Sequence, residues 1–530
     1  MYFAYTSKTI KSFGLRHLGI FFLYFLLFVF GYYFLNRVVT NPQKLMEDQL
    51  LLSKVLVAFI SFHIIFLVFI DWKRTKYMIT TYFSESGSAY NLAIFRIIYF
   101  FILGGHFFFY TIKYQISWTY LPDSSKVGLP FINWLVHILP VSPEIYTVFS
   151  ILAGVACWCI CLGLGTRYSF FILIPTAFYV IGVPMFYGKL SHSHILFWVP
   201  ILLCFAPVAD VWSIDAWICR RKGRRLIIED HPKYILPFKF LWIQLAIIYF
   251  FAGIIKLWDC GLDWALGDNM INQMRWEWVE HYDKVPKFRL DNYPTLAHLC
   301  GIAVICFEIL YVLLIFNPKI RIWAFISAFA FHLLCGYFMY IDFSNLRFVA
   351  ISYIPWDKIG NRIYGNIKLP GSQITGSTNL PFGDKKYYYV FISASLLVIA
   401  NFWFSVFKVH SYPFSSYPTY SSIVTDRIKT VEMVVYDFKS KVINVKELGE
   451  KAKFRWENIR PYEVRISECF ENGDEINLKS KLSEYWLLWK NNVSGLNDVK
   501  RIDLFLLTSS IIPERRNQII EKKYLGTLNF

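Results

Sequence analysis

The sequence predicts an all-α polytopic membrane protein with ten or eleven transmembrane helices and a small C-terminal α+β extramembrane domain. Three observations predict this. Hydrophobic residues fill 56% of the 530 positions and aromatic residues 20%, above the roughly 45–50% apolar share of soluble domains. The excess gathers in separate runs close to the about 20 residues a helix needs to cross hydrocarbon. Beyond residue 408 those runs cease, and the composition becomes that of a water-facing domain.

Spanning runs are read at Leu18–Leu35, Val55–Ile70, Ile94–Tyr110, Tyr146–Leu164, Tyr168–Phe186, Ile195–Val208, Phe240–Ile255, Leu296–Phe316, Ile322–Ile341 and Tyr388–Phe407. A shorter run, Phe348–Pro355, leaves the count open between ten and eleven. Lys8, Lys11 and Arg16 precede the first run in the manner of a signal-peptide start. With no small-residue cleavage site after it and further spans behind it, it reads as a retained anchor. Residues 1–90 form two N-terminal spans and a loop, 91–356 a central transmembrane domain, and 357–387 a linker rich in Pro, Gly, Ser and Thr. A last span follows at 388–408, and an extramembrane domain at 409–530.

The formal charge of +17 does not point to nucleic acid. Its Lys and Arg residues sit in short loops between apolar runs, where they set orientation. Lys73, Arg74 and Lys76, then Arg167, Arg220–Arg225, and Lys319 with Arg321 all fall on one side if the runs alternate. The N-terminus and these loops are therefore expected in the cytoplasm, with the chain in the inner membrane of a bacterium. The segment 257–295 is expected on the outer side.

Cys157, Cys159 and Cys161 alternate along a helix and diverge, which suits buried apolar packing better than a metal site. In the tail, Thr430–Tyr436, Val442–Val445 and Ile502–Leu507 read as strands. Leu482, Tyr485, Trp486 and Trp489 recur at helical spacing and mark a core face.

Polar residues inside apolar runs are costly and are functional candidates by default. Lys256 ends the run Tyr249–Leu257. It can snorkel to headgroups, or it can sit in an apolar pocket and act as a base. His192 lies in the loop Ser191–His194, either solvated or beside that pocket. Glu308 and His332 lie in mid-span and must face the bundle interior. Arg275 falls on the same outer side as Lys256 and His192. Lysine as base, with histidine to steady a developing anion, suits proton abstraction from a weakly acidic, membrane-soluble substrate such as a quinol.

The same residues carry a resemblance. Phe95-Arg96-Ile97, Gly163–Arg167, His192 followed by Trp212-Ser213-Ile214-Asp215, Tyr249–Leu257, Trp264, Arg275, Glu308 and Phe331-His332 occur in the order seen in the HTTM (horizontally transferred transmembrane) domain superfamily. That superfamily includes the membrane domain of the vitamin K-dependent γ-glutamyl carboxylases. The resemblance covers roughly Asn91–Trp356. It implies that Lys256 is the catalytic base and His192 its assistant, while Tyr249, Arg275, Glu308 and His332 bind substrate. It further implies reduced vitamin K or menaquinol as the lipid-soluble partner and a peptide or protein as the modified substrate. Ile255, Ser191 and Lys189 stand where the carboxylases have lysine, asparagine and tryptophan, and no large luminal region follows the last span. A non-catalytic membrane partner for maturation of, or immunity to, an exported peptide is the alternative reading. A transporter would want inverted repeats, which the sequence does not display.

Overall fold

The structure is a computed structural model. It describes residues 7–111, 134, 138, 142–186, 193–223, 230–281, 284–364 and 385–530, apart from 410, 418, 452–455 and 517. His192 lies outside the described residues, as does most of the 357–387 linker.

An N-terminal hairpin, α1 (Ser7–Val38) and α2 (Pro42–Ile70), is followed by the short α3 (Trp72–Ser84). Then come α4 (Ala89–Gly105), α5 (Pro143–Leu162) and α6 (Thr166–Ala177), the last continuing through a π turn to Met185. Two shorter helices follow, α7 (His194–Leu203) and α8 (Ile214–Arg221), and then the long central α9 (Pro232–Cys260). After it lie α10 (Asp263–Leu266) and α11 (Asn269–Glu280), the antiparallel pair α12 (Pro294–Phe316) and α13 (Ile322–Met339), and the short α14 (Ser344–Ala350) and α15 (Trp356–Tyr364). The last apolar helix is α16 (Lys385–Val406).

Among the described residues, seven helices are long and apolar enough to cross a membrane, and three shorter apolar helices accompany them at Leu26–Val38, His194–Leu203 and Val390–Val406. The expected span Ile195–Val208 is corrected: its helix is only ten residues long. Pro207 and the turns around it end that helix early. The ambiguous run Phe348–Pro355 is a short helix and a 3-10 turn. It nonetheless brings the chain back to the start of α4, where Asn91 donates to Asp357 at 2.9 Å and accepts from its backbone N–H at 2.8 Å. Phe30 and Phe34 of α1, Phe62 and Phe69 of α2, Phe171 of α6, and Leu313 of α12 are all more than half exposed. So wide an apolar surface is out of place in water and suits a bilayer.

α9 is the axis of the bundle, and its apolar residues are buried almost all round. At its basic end, α4, α5, α6 and α8 meet in a polar knot. Gly163 closes α5 with φ +67, a left-handed conformation that favours glycine. A Cβ there would also lie 2.2 Å from that of Ser213. The Asp215 carboxylate accepts from the N–H groups of Gly165 and Thr166 at 2.8 and 2.9 Å, capping α6. Arg96, fully buried, donates to the carbonyls of Val208 and Trp212.

After α16, residues 411–417 and 419–424 form a strap across the opposite end of the bundle. Tyr412 and Tyr417 are buried, and the Trp198 indole donates to the Pro413 carbonyl at 2.9 Å. The tail then builds a four-stranded antiparallel sheet in the order β2-β1-β3-β4. Its strands are β1 (Arg427–Asp437), β2 (Val442–Ile443), β3 (Val499–Ser510) and β4 (Ile519–Asn529). In register, Val431 stands opposite Leu506, and Leu504 opposite Gly526. α17 (Val445–Lys451), α18 (Trp456–Glu471) and α19 (Glu475–Asn492) complete this unit. Leu482, Tyr485 and Trp486 are in its core, with Trp489 packed at the edge. Three elements of the tail went unread in the sequence: β4, the short α17 and α18.

Candidate functional site

The site is built by α9, α12 and α13. Gly253, one turn before Lys256, lets α9 approach α12 closely. A Cβ at Gly253 would lie 2.9 Å from Ile309 and 3.0 Å from the Cβ of Glu308. This approach sets Glu308 opposite Lys256. The ammonium donates to both carboxylate oxygens, at 2.6 and 2.8 Å, with each side chain under 5% exposed. Lys256 also lies 5.0 Å from the ring centre of Trp264, a cation–π distance. It therefore does not snorkel.

A second polar pair lies one to two turns deeper. The Tyr249 hydroxyl is 2.6 Å from His332 Nε2 of α13, both buried. The Tyr249 ring packs on Tyr311 at 4.4 Å, and the Tyr311 hydroxyl donates to that of Tyr353 at 3.0 Å.

Between these pairs and α13 is a cavity of about 360 Å³. Tyr249, Lys256, Glu308 and His332 all line it, and the rest of the wall is chiefly apolar and aromatic, with Phe307, Phe331 and Cys335 among its residues. Small-molecule sites are of this kind, about 300–1,000 Å³ with a few convergent polar groups. Lining its strap end are Trp264, Gln273, Thr419 and Tyr420.

Four of the six site residues expected from the sequence thus share one cavity. Arg275 does not line it. Its guanidinium donates to Asp291 at 3.0 Å, in a network in which Arg289 joins Asp291 to Glu514 of the tail. Asp291 is fully covered; burial acts to raise its carboxyl, but Arg289 and Arg275 outweigh it and hold the group below the ordinary carboxylate range. The Arg275 charge is thus paired with an acidic neighbour outside the cavity. His194, two residues after His192, is buried and packs 5.5 Å from the rings of Tyr412 and Tyr417.

Sequence reasoning missed Tyr420, whose hydroxyl donates to Glu277 at 2.7 Å. It sits more than 150 residues beyond Lys256, in a segment that carries no periodic signal. Trp264 was noted only as a landmark. An indole four to eight residues after an intramembrane lysine would have been the clue to a cation–π partner.

Comparison with known proteins agrees with this division. A family model described as the HTTM domain matches residues 83–354, just over half of the chain. The match spans the knot around Asp215 and the α9, α12 and α13 walls of the cavity, and it stops before the strap and the tail. No curated protein and no solved structure matches the chain. The HTTM domain and the apolar helices together indicate an integral membrane protein in a lipid bilayer. The chain belongs to the HTTM family.

Proposed function

We propose that this HTTM protein is an enzyme of the γ-carboxylase-like kind, which binds a quinol-type, lipid-soluble substrate in the α9–α12–α13 cavity and takes a proton from it. The observation that carries the reading is the Lys256–Glu308 pair at the wall of an otherwise apolar cavity. Desolvating two charges is expensive, and a buried pair is weak evidence of stability. Placed against a space of substrate size, it is instead suited to chemistry. A quinol hydroxyl bound beside the pair would pass its proton to Lys256 and Glu308 acting as one coupled unit. The O–H bond breaks, the pair gains the proton, and the resulting oxyanion balances the added charge. The Tyr249–His332 pair offers a second polar contact for the far end of an aromatic head.

By this reading, reduced vitamin K or menaquinol is the membrane-soluble substrate, and a peptide or protein is the group finally modified. The basic end of the bundle faces the cytoplasm of a bacterial inner membrane, by the charge bias of its loops, and the strap end faces outward. The test is aerobic incubation of purified protein with reduced vitamin K or menaquinol. Epoxide or quinone product, and labelled carbon dioxide entering peptide, support the reading. No turnover with any quinol contradicts it.

The alternative is a non-catalytic membrane partner for an exported peptide. One observation favours it: the tail is anchored directly over the outer segment, with Arg460 stacked 4.5 Å from Trp276 and Arg289 paired with Glu514. Under that reading Lys256→Met combined with Glu308→Leu, which replaces the whole buried pair, leaves activity intact, and deletion of 409–530 abolishes it.

A further inference from the structure

We infer that the cavity is loaded sideways from the bilayer, through the seam between α12 and α13, rather than from water. This rests on the reading above that its occupant is lipid-soluble.

The water-facing end is closed. The Trp264 indole donates to the Tyr420 carbonyl at 2.6 Å, and the Gln273 amide donates to that of Ser422 at 2.8 Å. Asn272 donates to the Val424 carbonyl at 3.0 Å, and the Val424 N–H donates to Asn269 at 2.7 Å. With the Tyr420–Glu277 bond, these contacts fasten the strap along α10 and α11. Entry past Thr419 and Tyr420 would have to undo them together.

The lateral side is built differently. Ala303 of α12 and Ala330 and Leu334 of α13 line the cavity and are exposed rather than packed against neighbouring side chains. Two of the three are alanines, so little side chain obstructs the seam. The rings of Phe307 and Phe331 meet at 4.8 Å and form its sill. Among its described residues α13 buries only Ala324, Ala328 and His332, so most of its surface faces away from the bundle. Apart from Glu308, neither helix carries a charged residue between Pro294 and Phe316 or between Ile322 and Met339. A molecule already dissolved in hydrocarbon therefore meets no charged barrier at this opening, whereas a water-soluble one would have to cross lipid first.

The experiment uses the full chain in proteoliposomes. A bilayer-partitioned aryl diazirine, activated by light without any quinol present, is mapped by mass spectrometry. The expected result is adducts on the cavity residues Met274 and Met339 in the wild type. Those adducts should fall to background in Ala303→Trp combined with Ala330→Trp, and in Ala303→Phe alone should the double variant fail to fold. Loosening the strap with Asn269→Ala and Asn272→Ala should leave them unchanged. Adducts unaffected by the tryptophans, or equal labelling of the wild-type cavity by a membrane-impermeant diazirine, would overturn lateral loading. In parallel, entry of membrane-dissolved menaquinol is timed in the same variants, and slowed entry in the tryptophan variant is expected. Failure of every quinol to bind, with the diazirine pattern as expected, would sink the proposed substrate class while leaving the opening in place.

Discussion

Two lysines on one helix, Lys239 and Lys256, are alike in burial and pairing and differ in what lies beside them. They stand about 26 Å apart along α9 at 1.5 Å per residue, and they bracket a stretch with no charged residue. Each is buried and each has a carboxylate partner. Lys239 lies 3.2 Å from Glu85, donates to the Tyr82 carbonyl, and sits 4.8 Å from the Tyr82 ring. Arg321 adds a bidentate grip on Glu85 at 3.0 and 3.1 Å and packs 4.3 Å from Trp242. Burial tends to raise the Glu85 carboxyl, but these two cations overcome it and hold the group below its usual value. Lys256 has one carboxylate, one indole and an open cavity. Burial and pairing do not separate the two lysines. The space beside them does: Lys256 itself lines a chiefly apolar cavity of about 360 Å³, whereas Lys239 does not, and its partners Glu85 and Arg321 border a smaller, more polar one of about 220 Å³.

The comparison breaks most easily at Glu85. Glu85→Leu leaves Lys239 and Arg321 buried together without a counter-charge, a loss on the order of 3–5 kcal/mol. The expected result is a large fall in melting temperature in detergent, with or without ligand. Lys256→Ala should cost a similar amount, about 3–5 kcal/mol, by stranding Glu308. The sharper version is Lys256→Met combined with Glu308→Leu. Replacing a whole buried pair by apolar residues is often neutral or stabilising by about 1–4 kcal/mol. That variant should keep the fold, seen as an unchanged or higher melting temperature, and lose quinol turnover.

Next in size is Gly253→Leu, which drives a side chain into Ile309 and Glu308 and should cost about 1–3 kcal/mol as overpacking. Turnover should fall more than stability, because the Lys256–Glu308 register is displaced. The last effect concerns the tail and reads out in pH. Burial pushes the Glu463 carboxyl up to about 7, against the opposing pull of Arg460 and the Val431 N–H. A folded value above the unfolded one, about 4.3, means the native tail holds the proton more tightly. The resulting stability is present below about 4.3 and is lost as pH rises towards 7. Glu463→Gln should flatten that slope in pH-dependent unfolding of the tail, while the slope set by the rest of the molecule persists.

Much of the fold was legible because apolar run length alone identifies spanning helices. The short α7 was misread because Ile195–Val208 is apolar throughout; Pro207 was the legible stop signal, and only the contact of Val208 with Arg96 needed the tertiary structure. The landmarks of the family order proved to be of two kinds. Arg96, Gly163, Trp212 and Asp215 tie helices together at the basic end, whereas Tyr249, Lys256, Glu308 and His332 line the cavity. Sequence order does not distinguish these roles, because both need fixed residues at fixed places. Lys239 escaped notice because it stands at the border of its apolar run. Arg275 was expected beside Lys256 and instead pairs with Asp291 outside the cavity, a partner that only tertiary contact reveals. The strap was invisible because, apart from the Tyr420 hydroxyl, it bonds α10 and α11 through backbone groups, which any residue supplies.

The central claim is that Lys256 and Glu308 serve a ligand, whereas Lys239 and Glu85 serve the fold. Native mass spectrometry of the full chain released from menaquinol-loaded membranes tests it most directly. The account predicts bound quinol in the wild type and none in the folded Lys256→Met, Glu308→Leu variant. Equal retention of quinol by that variant, or no quinol on the wild type, would contradict it.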